Sequence, residues 1–153
     1  MLARSKDGGM MGGSSDVHEH EIRVRYAECD AMGFLHHAKY FEYIEEARTE
    51  ALRARGIRYR DLEAEGVLFV VAKLSCRFFK PIAYDDVVTV QTSIERFTRT
   101  RIDHSYRLLC DGELKSEAAT TLACIGRDGR PRVMPDHIWS IHQETKPRRR
   151  GRG

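Results

Sequence analysis

The fold of this chain is decided by the stretch Tyr26-Ala-Glu-Cys-Asp-Ala-Met-Gly-Phe-Leu-His-His-Ala-Lys-Tyr40, where one sequence pattern replaces another. In the residues that lead into this stretch, Ile22, Val24 and Tyr26 alternate with charged residues. Alternation of this kind is typical of a half-buried strand, which we predict over residues 17–27. The stretch itself then links this strand to the next element of the chain.

That next element has a helical pattern. Apolar residues recur at spacings of four, three and four, which places them on one face of a helix predicted over residues 38–55. Gly56 is a suitable residue just beyond its end. The apolar stripe consists of Tyr40, Ile44, Ala47 and Ala51.

The remainder of the chain predicts a short helical turn over residues 59–65 and then an antiparallel sheet. Strand-like runs cover residues 67–80, 88–95, 103–110 and 113–125. Asp111-Gly112 is a two-residue hairpin signal, and Asp128-Gly129 marks a further turn. One long helix with about five strands defines an α+β protein in which the helix lies across one face of the sheet.

Length and composition agree with a single globular domain. The chain has 153 residues, of which 41% are hydrophobic and 32% charged. We expect residues 1–16 to be a disordered leader, 17–145 the domain and 146–153 a basic, disordered tail. The net charge is +3, but residues 146–153 carry +5 and residues 1–15 carry +1, which leaves residues 16–145 at −3. Nucleic acid is therefore not an expected partner.

The sequence also predicts the cellular compartment. It contains no apolar run near the ~20 residues of a membrane helix and no secretory signal pattern at its start. Its four cysteines are widely spaced and are expected to be unpaired, structural thiols. We therefore expect a cytoplasmic location.

The loop itself contains a carboxylate, Asp30, shortly before the helix begins near His36 and His37. The first amides of a helix lack partners within it and are electropositive, so they can stabilise an oxyanion. A carboxylate beside them can attack a carbonyl carbon or activate water. The structural alternative is that Asp30 forms a turn or caps the helix, and spacing alone favours that alternative.

Family resemblance favours the chemical role. The pattern Tyr26-x-x-x-Asp30-x-x-Gly33-x-x-x-His37-x-x-Tyr40, followed by Tyr43-Ile-Glu-Glu-Ala-Arg48, resembles the 4-hydroxybenzoyl-CoA thioesterase family, and within it the bacterial Tol-Pal-associated short-chain acyl-CoA thioesterases. A second block, Phe78-Phe-Lys-Pro-Ile-Ala-Tyr-Asp-Asp86, is similar to the same proteins. The likeness covers roughly residues 18–142. It implies a hotdog fold, a curled antiparallel sheet wrapped round one long central helix, and self-association as a dimer or tetramer with the active sites at the interface.

The resemblance also implies roles for individual residues. Asp30 aligns with the catalytic carboxylate, as nucleophile or as general base, and the backbone amide of His37 would contact the thioester carbonyl while its side chain assists. Gly33 would let the loop pass without a Cβ collision. His36 stands where relatives usually have Tyr or Trp, which bears on acyl preference. The residues predicted to contact substrate are Gly33, Phe34, His36, Tyr40, Val70, Val71, Ala72, Arg99 and Arg101.

Several of these assignments have alternatives that remain open. Arg99 and Arg101 are expected near the phosphates of coenzyme A, or on a solvated turn. The three consecutive residues Val70, Val71 and Ala72 line the acyl pocket across the interface, or belong to the core. Arg48 is expected to pair with a carboxylate.

Histidine positions raise the question of a metal. His36 and His37 point about 100° apart on a helix, so we expect no metal site there. A lone pair such as His18 and His20 is a weak metal signal and is expected on the solvent side of its strand.

The sequence thus predicts an acyl-CoA thioesterase that hydrolyses a short-chain or aromatic acyl-CoA and needs no cofactor, since coenzyme A belongs to the substrate. The alternatives are a thioesterase for acyl carrier protein and a hotdog module that binds acyl-CoA or a protein without turnover.

Overall fold

The computed structural model describes residues 17–145, which form one sheet and three α-helices. The predicted leader and tail, residues 1–16 and 146–153, lie outside the described residues. In chain order the elements are β1 His18–Arg23, α1 His37–Ala54, α2 Tyr59–Ala64, β2 Leu68–Phe78, β3 Val87–Phe97, β4 Arg101–Cys110, β5 Glu113–Ile125 and α3 Asp136–Thr145.

The five strands form an antiparallel sheet in the order β1-β3-β4-β5-β2. The hairpin between β4 and β5 turns at Asp111 and Gly112, whose φ angles of 48° and 78° are those that the Asp-Gly signal supplies. Strands β1 and β2 are the two edges of the sheet, although they are consecutive strands in the chain. The α+β class is confirmed.

Helix α1 packs its predicted apolar face against the middle of this sheet. Ile44 is 1% exposed and Ala47 is 0% exposed, and both belong to the same cluster as Val88 and Val90 of β3. Tyr106 and Leu108 of β4 complete this cluster. Burial of such side chains stabilises the fold by roughly 1.5–3 kcal/mol each.

A second apolar cluster fills the opposite end of the domain. Leu62 of α2 packs there with Ile102 of β4 and Leu122 of β5. Met134 and Ile138 close it from the C-terminal side, where α3 begins. None of the described helices has the length and apolar character that a membrane span requires.

Helix α3 was not predicted. Its first turn contains Asp136, directly after Pro135, and both residue types are favoured at the start of a helix. The sequence therefore held a signal for α3, namely the Pro-Asp pair ahead of Ile138.

The first strand is also shorter than predicted. It ends at Arg23, and residues Tyr26–Glu28 form a 3₁₀ turn instead of continuing the alternation. The reason is local, since Glu28 folds back to accept a hydrogen bond from the Arg25 amide at 2.9 Å.

Two expectations for polar side chains are wrong. His18 and His20 face α1 rather than solvent, and the His20 ring lies 2.6 Å from the Glu46 carboxylate. Arg48 is 8% exposed and donates to the Tyr106 hydroxyl at 3.2 Å instead of pairing with a carboxylate of the described residues.

Edge strand β2 leaves apolar side chains in solvent. Val71 is 50% exposed and Phe78 is 51% exposed, and Val70 and Leu74 are also exposed. The pairing of β2 with β5 shifts register between Val71 and Lys73, so Ala72 occupies a bulge. A long apolar edge of this kind is typical of a strand that pairs with another chain.

The packing of α1 gives the first prediction. Replacing Ile44 by Ala should lower the free energy of unfolding by about 2–5 kcal/mol, because it opens a cavity under the helix. Urea denaturation followed by circular dichroism measures the change. Glu45→Ala, on the exposed face of the same helix, should change stability by less than about 0.5 kcal/mol. Equal effects of the two substitutions would contradict the described packing.

Candidate active site

The loop between β1 and α1 is a narrow hairpin of its own. The His36 amide donates to the Glu28 carbonyl at 2.9 Å, and the Asp30 amide donates to the Phe34 carbonyl at 2.8 Å. The loop is also fastened to the segment before β3, because the Leu35 amide donates to the Ile82 carbonyl at 2.7 Å. The two sequence blocks that carry the family resemblance thus meet in space.

The carboxylate of Glu28 holds this hairpin to α1. Glu28 is 7% exposed, and its carboxylate accepts hydrogen bonds from the Arg25 amide and, at 2.7 Å, from the Tyr43 hydroxyl. Burial alone would raise the pKa of Glu28, but these hydrogen bonds and the Arg25 guanidinium outweigh it and lower the pKa below the usual value. Glu28 is therefore held as a carboxylate.

Neither Glu28 nor Tyr43 was singled out from the sequence. A signal for Glu28 existed, because Arg25 and Glu28 have the three-residue spacing at which a glutamate bonds back to the amide that precedes a turn. Nothing in the sequence pattern indicates that Tyr43 reaches Glu28.

Asp30 is exposed and uses one carboxylate oxygen to shape the loop. Its Oδ1 accepts from the Met32 amide at 2.9 Å and from the Phe34 amide at 3.2 Å. The turn-forming role that spacing favoured is therefore present. In the part of the chain whose side chains are described, residues 17–140, its Oδ2 has no hydrogen-bond partner, so this oxygen is open to a ligand.

Gly33 is required for a reason other than the one predicted. An added Cβ would meet no atom within 4 Å, so no collision is avoided. Its φ of +82°, however, is a left-handed conformation that residues with a side chain rarely adopt. The loop therefore needs glycine for its backbone turn.

The head of α1 presents one open amide. His36 precedes the helix, and its Nδ1 accepts a hydrogen bond from the Ala38 amide at 3.1 Å. The His36 and His37 rings stack with their centroids 4.1 Å apart. Within the described part of the chain the His37 amide has no acceptor, and it points from the electropositive end of the helix.

Phe34 lies in the loop and Tyr40 in the first turn of α1, and the two side chains differ in exposure. Phe34 is half-buried and forms a bridge with Ala83. Tyr40 is 4% exposed and meets the edge of the Phe78 ring at 4.8 Å between centroids. Burial raises the pKa of Tyr40 to about 12, so its hydroxyl stays protonated. Contact of either residue with substrate stays a prediction.

The other predicted contacts are not gathered around Asp30 in a single chain. Val70, Val71 and Ala72 lie exposed on edge strand β2. Arg99 pairs with Asp136 at 2.7 Å, and its guanidinium stacks on the Trp139 ring. The Arg101 side chain pairs with that of Asp103 at 3.0 Å. Their roles toward substrate stay predictions.

The cysteines and the possible metal ligands are the remaining reactive groups. All four cysteines are free, and burial raises the pKa of the Cys29 thiol, as do the nearby Asp30 and Glu28. Such a thiol is a weak nucleophile. Among the side chains that the structure describes, those of residues 17–140, no group of three or more His, Cys, Asp or Glu is arranged to hold a metal ion.

A long helix against a curled antiparallel sheet, with a carboxylate and an open amide at the head of the helix, defines a protein of the hotdog thioesterase class. Residues 24–141 match the thioesterase-like superfamily, and the chain belongs to that family. The predicted hotdog fold and the predicted enzyme class, a thioester hydrolase, are confirmed.

Individual relatives agree with this placement. The chain is 34% identical over 119 residues to the acyl-CoA thioester hydrolase YbgC of Escherichia coli, covering 76% of this chain and 89% of that protein. It is 34% identical over 113 residues to the putative acyl-CoA thioesterase YneP of Bacillus subtilis, covering 73% and 82%. It also matches the crystal structure of a DHNA-CoA thioesterase from Staphylococcus aureus with a TM-score of 0.76 and 31% identity, over 85% and 95% of the two chains.

The Glu28 contacts predict a pH-dependent contribution to stability. Because the pKa of Glu28 is lowered in the folded protein, its contribution is complete above the unfolded value of 4.5 and is lost as the pH falls below it. Glu28→Gln should lower the free energy of unfolding by about 1–3 kcal/mol at pH 7. The difference from wild type should shrink as the pH is lowered below 4.5.

Denaturation curves at several pH values, for wild type and Glu28→Gln, measure this difference. Glu21→Gln, an exposed glutamate of β1, is the matched control and should track wild type throughout. A difference that stays constant from pH 7 to acid pH would show that the Glu28 charge contributes nothing.

Proposed function

We propose that this protein hydrolyses a short-chain or aromatic acyl-CoA to the free acid and coenzyme A. The names of the relatives support a coenzyme A thioester as substrate, since YbgC and YneP are called acyl-CoA thioesterases. The observation that carries the proposal is the open Oδ2 of Asp30, held in the same hairpin as the open amide of His37.

The chemistry requires two contributions from the protein. The His37 amide donates to the thioester oxygen, where negative charge develops as the carbonyl carbon is attacked. One oriented donor of this kind is typically worth about 3 kcal/mol of the barrier. The partial positive charge of the helix head adds to it, and the His36 ring keeps the first turn regular by accepting from Ala38.

Asp30 supplies the second contribution through its free oxygen. Either Oδ2 attacks the carbonyl carbon and water then hydrolyses the mixed anhydride, or Oδ2 takes a proton from a water molecule that attacks directly. In both routes the carbon–sulfur bond breaks, coenzyme A leaves as the thiol after protonation, and the acyl group leaves as the carboxylic acid. The His37 side chain assists by orienting water or Asp30.

Coenzyme A enters this scheme as part of the substrate, and the proposal includes no cofactor. Arg99 and Arg101 are assigned to its phosphates. Both already pair with acids of their own chain, so phosphate binding would exchange Asp136 or Asp103 for a stronger anion. Substrate affinity should therefore fall with rising ionic strength.

A second copy of the chain completes the site in this proposal. The exposed apolar edge of β2 favours pairing with another copy, which would carry Val70, Val71 and Ala72 toward the partner's Asp30 loop. The unpaired cysteines are consistent with a reducing compartment, and we assign the protein to the cytoplasm.

Two alternatives differ in what they bind. A thioesterase for acyl carrier protein must dock an acidic partner, which the net charge of −3 on residues 16–145 disfavours. A non-catalytic module would bind acyl-CoA without releasing thiol. An acyl-CoA panel assayed for thiol release separates all three.

The catalytic role of Asp30 is tested by Asp30→Asn. Asparagine can keep the hydrogen bonds to the Met32 and Phe34 amides through its own Oδ1, so the loop is preserved while the charge is lost. We expect kcat/KM to fall by about 10²–10⁴-fold with little change in stability.

The matched control is Asp111→Asn in the remote β4–β5 turn, which should retain wild-type turnover. Full activity of Asp30→Asn on every acyl-CoA that the wild type cleaves would overturn the proposal. Single-turnover hydrolysis in H₂¹⁸O then distinguishes the two routes, because label in the Asp30 carboxylate indicates an anhydride.

The pairing of β2 is tested by Val71→Lys. A lysine at this edge should raise the dissociation constant of the oligomer by about tenfold or more and lower turnover in parallel. Sedimentation equilibrium measures the state, dimer or tetramer, of wild type and variant. Val133→Lys is the control, because Val133 is 56% exposed but lies outside β2. A monomeric, fully active wild type would contradict the role of a second copy.

A further inference from the structure

A cavity lies between the C-terminal half of α1 and the sheet, away from the Asp30 loop. Its volume is about 260 Å³, and Arg48 and Leu52 of α1 line it together with Thr92 of β3 and His104 of β4. Arg48 follows His37 by eleven residues, which corresponds to about 16 Å along the helix axis. None of Asp30, His36 and His37 lines this cavity.

Polar atoms without partners are concentrated in its wall. Within the described residues, four buried side-chain nitrogen or oxygen atoms lack a hydrogen-bond partner: His18 Nδ1, Arg48 Nε, Thr92 Oγ1 and His104 Nδ1. All four residues line this cavity. Buried polar groups in folded proteins are almost always hydrogen-bonded, so four exceptions around one space make this cavity a candidate site for a polar ligand.

The charge of Arg48 narrows the chemistry of that ligand. Arg48 is 8% exposed, and its guanidinium interacts with the hydroxyls of Tyr106 and Tyr59. Among residues 17–140, whose side chains the structure describes, no carboxylate forms an ion pair with it. Arg48 stays protonated, because its pKa is raised above the usual value. A buried charge without a counter-charge lowers the stability of the folded protein.

The other polar groups keep the cavity electropositive. Arg55 also lines it. Burial, followed by the charges of Arg48 and Arg55, lowers the pKa of His104 to about 3, so its ring is neutral at neutral pH. Glu50 and Asp103 act on the rings of His18 and His104, but neither lines the cavity. Among the side chains that the structure describes, the wall of the cavity therefore has two cations and no anion.

The rest of the wall is apolar and limits the size of the ligand. Ile57, Phe69, Ile94 and Ile102 form much of it. A dry apolar cavity of about 150 Å³ accommodates benzene, so about 260 Å³ has room for a ring or short chain with one further group.

We propose that this cavity binds a small organic monocarboxylate, with its carboxylate on Arg48 Nε and Thr92 Oγ1 and its ring or short alkyl chain against the apolar wall. The site is separate from the proposed catalytic centre and does not rest on the proposed function. A free acid from any source has this chemistry, including the acid that thioester hydrolysis would release.

The test is calorimetric titration of the full chain with benzoate and hexanoate, and with the neutral benzamide and hexanamide as matched probes. We expect saturable binding of at least one acid and binding of its amide weaker by about tenfold or more, because the amide lacks the charge that Arg48 requires. Chloride and inorganic phosphate test whether a simple anion suffices.

Variants assign the binding to this cavity. Arg48→Met should weaken acid binding by about tenfold or more, and Thr92→Val, which keeps the shape of the side chain, should weaken it by a smaller factor. Arg53→Met, on the exposed face of α1, is the matched control and should bind like wild type. Asp30→Asn should also bind like wild type, which separates this site from the catalytic proposal.

Thermal unfolding gives an independent readout. Without ligand, Arg48→Met should melt above wild type, because it removes an uncompensated buried charge. Added acid should raise the melting temperature of wild type and leave that of Arg48→Met unchanged. If Arg48→Met does not fold, two other measurements test binding in this cavity. Thr92→Val should weaken acid binding, and the ¹H–¹⁵N resonance of Arg48 Nε in wild type should shift on titration with acid.

The proposal is overturned by any of three results: no acid binds at millimolar concentration, the neutral amides or simple anions bind as tightly as the acids, or Arg48→Met folds and binds acid like wild type.

Discussion

The site depends on one buried carboxylate, that of Glu28. Its carboxylate accepts hydrogen bonds from the Arg25 amide and the Tyr43 hydroxyl, and its backbone carbonyl accepts one from the His36 amide. These three bonds join the segment after the first strand, the Asp30 loop and the long helix at one residue. Because a buried carboxylate is costly unless it is hydrogen-bonded, the bonds are mutually dependent and the loop has little freedom to rearrange.

This rigidity explains how one short loop can serve two roles. Asp30 uses one oxygen for the amides that shape the turn and leaves the other unbonded, so the proposed chemistry does not compete with the structural role for the same atom. The head of the helix is divided in the same way. The His36 ring satisfies the Ala38 amide, and the His37 amide is left open.

The elements with strong periodicity were predictable, and the details set by contacts distant in sequence were not. The α1 boundaries, the β4–β5 turn and the α+β class could be predicted from local pattern. The resemblance indicated Asp30 and His37, whose catalytic roles stay predictions. Three features required coordinates: the bond from Tyr43 to Glu28, the orientation of His18 toward the helix, and the burial of Arg48 without an acid. Each depends on which side chains from distant segments meet, and periodicity does not contain that information. Helix α3 differs from these three features, because the Pro-Asp pair at residues 135 and 136 is a local signal for the start of a helix.

The second apolar cluster has a consequence for the synthesis of the chain. Met134 and Ile138 pack on Ile102 and Leu122, so side chains made late in translation complete a core that β4 and β5 begin. Until residue 138 has left the ribosome, Ile102 and Leu122 lack this cover. The sheet therefore reaches its mature packing only after that point, and part of this apolar cluster stays exposed on the nascent protein until then.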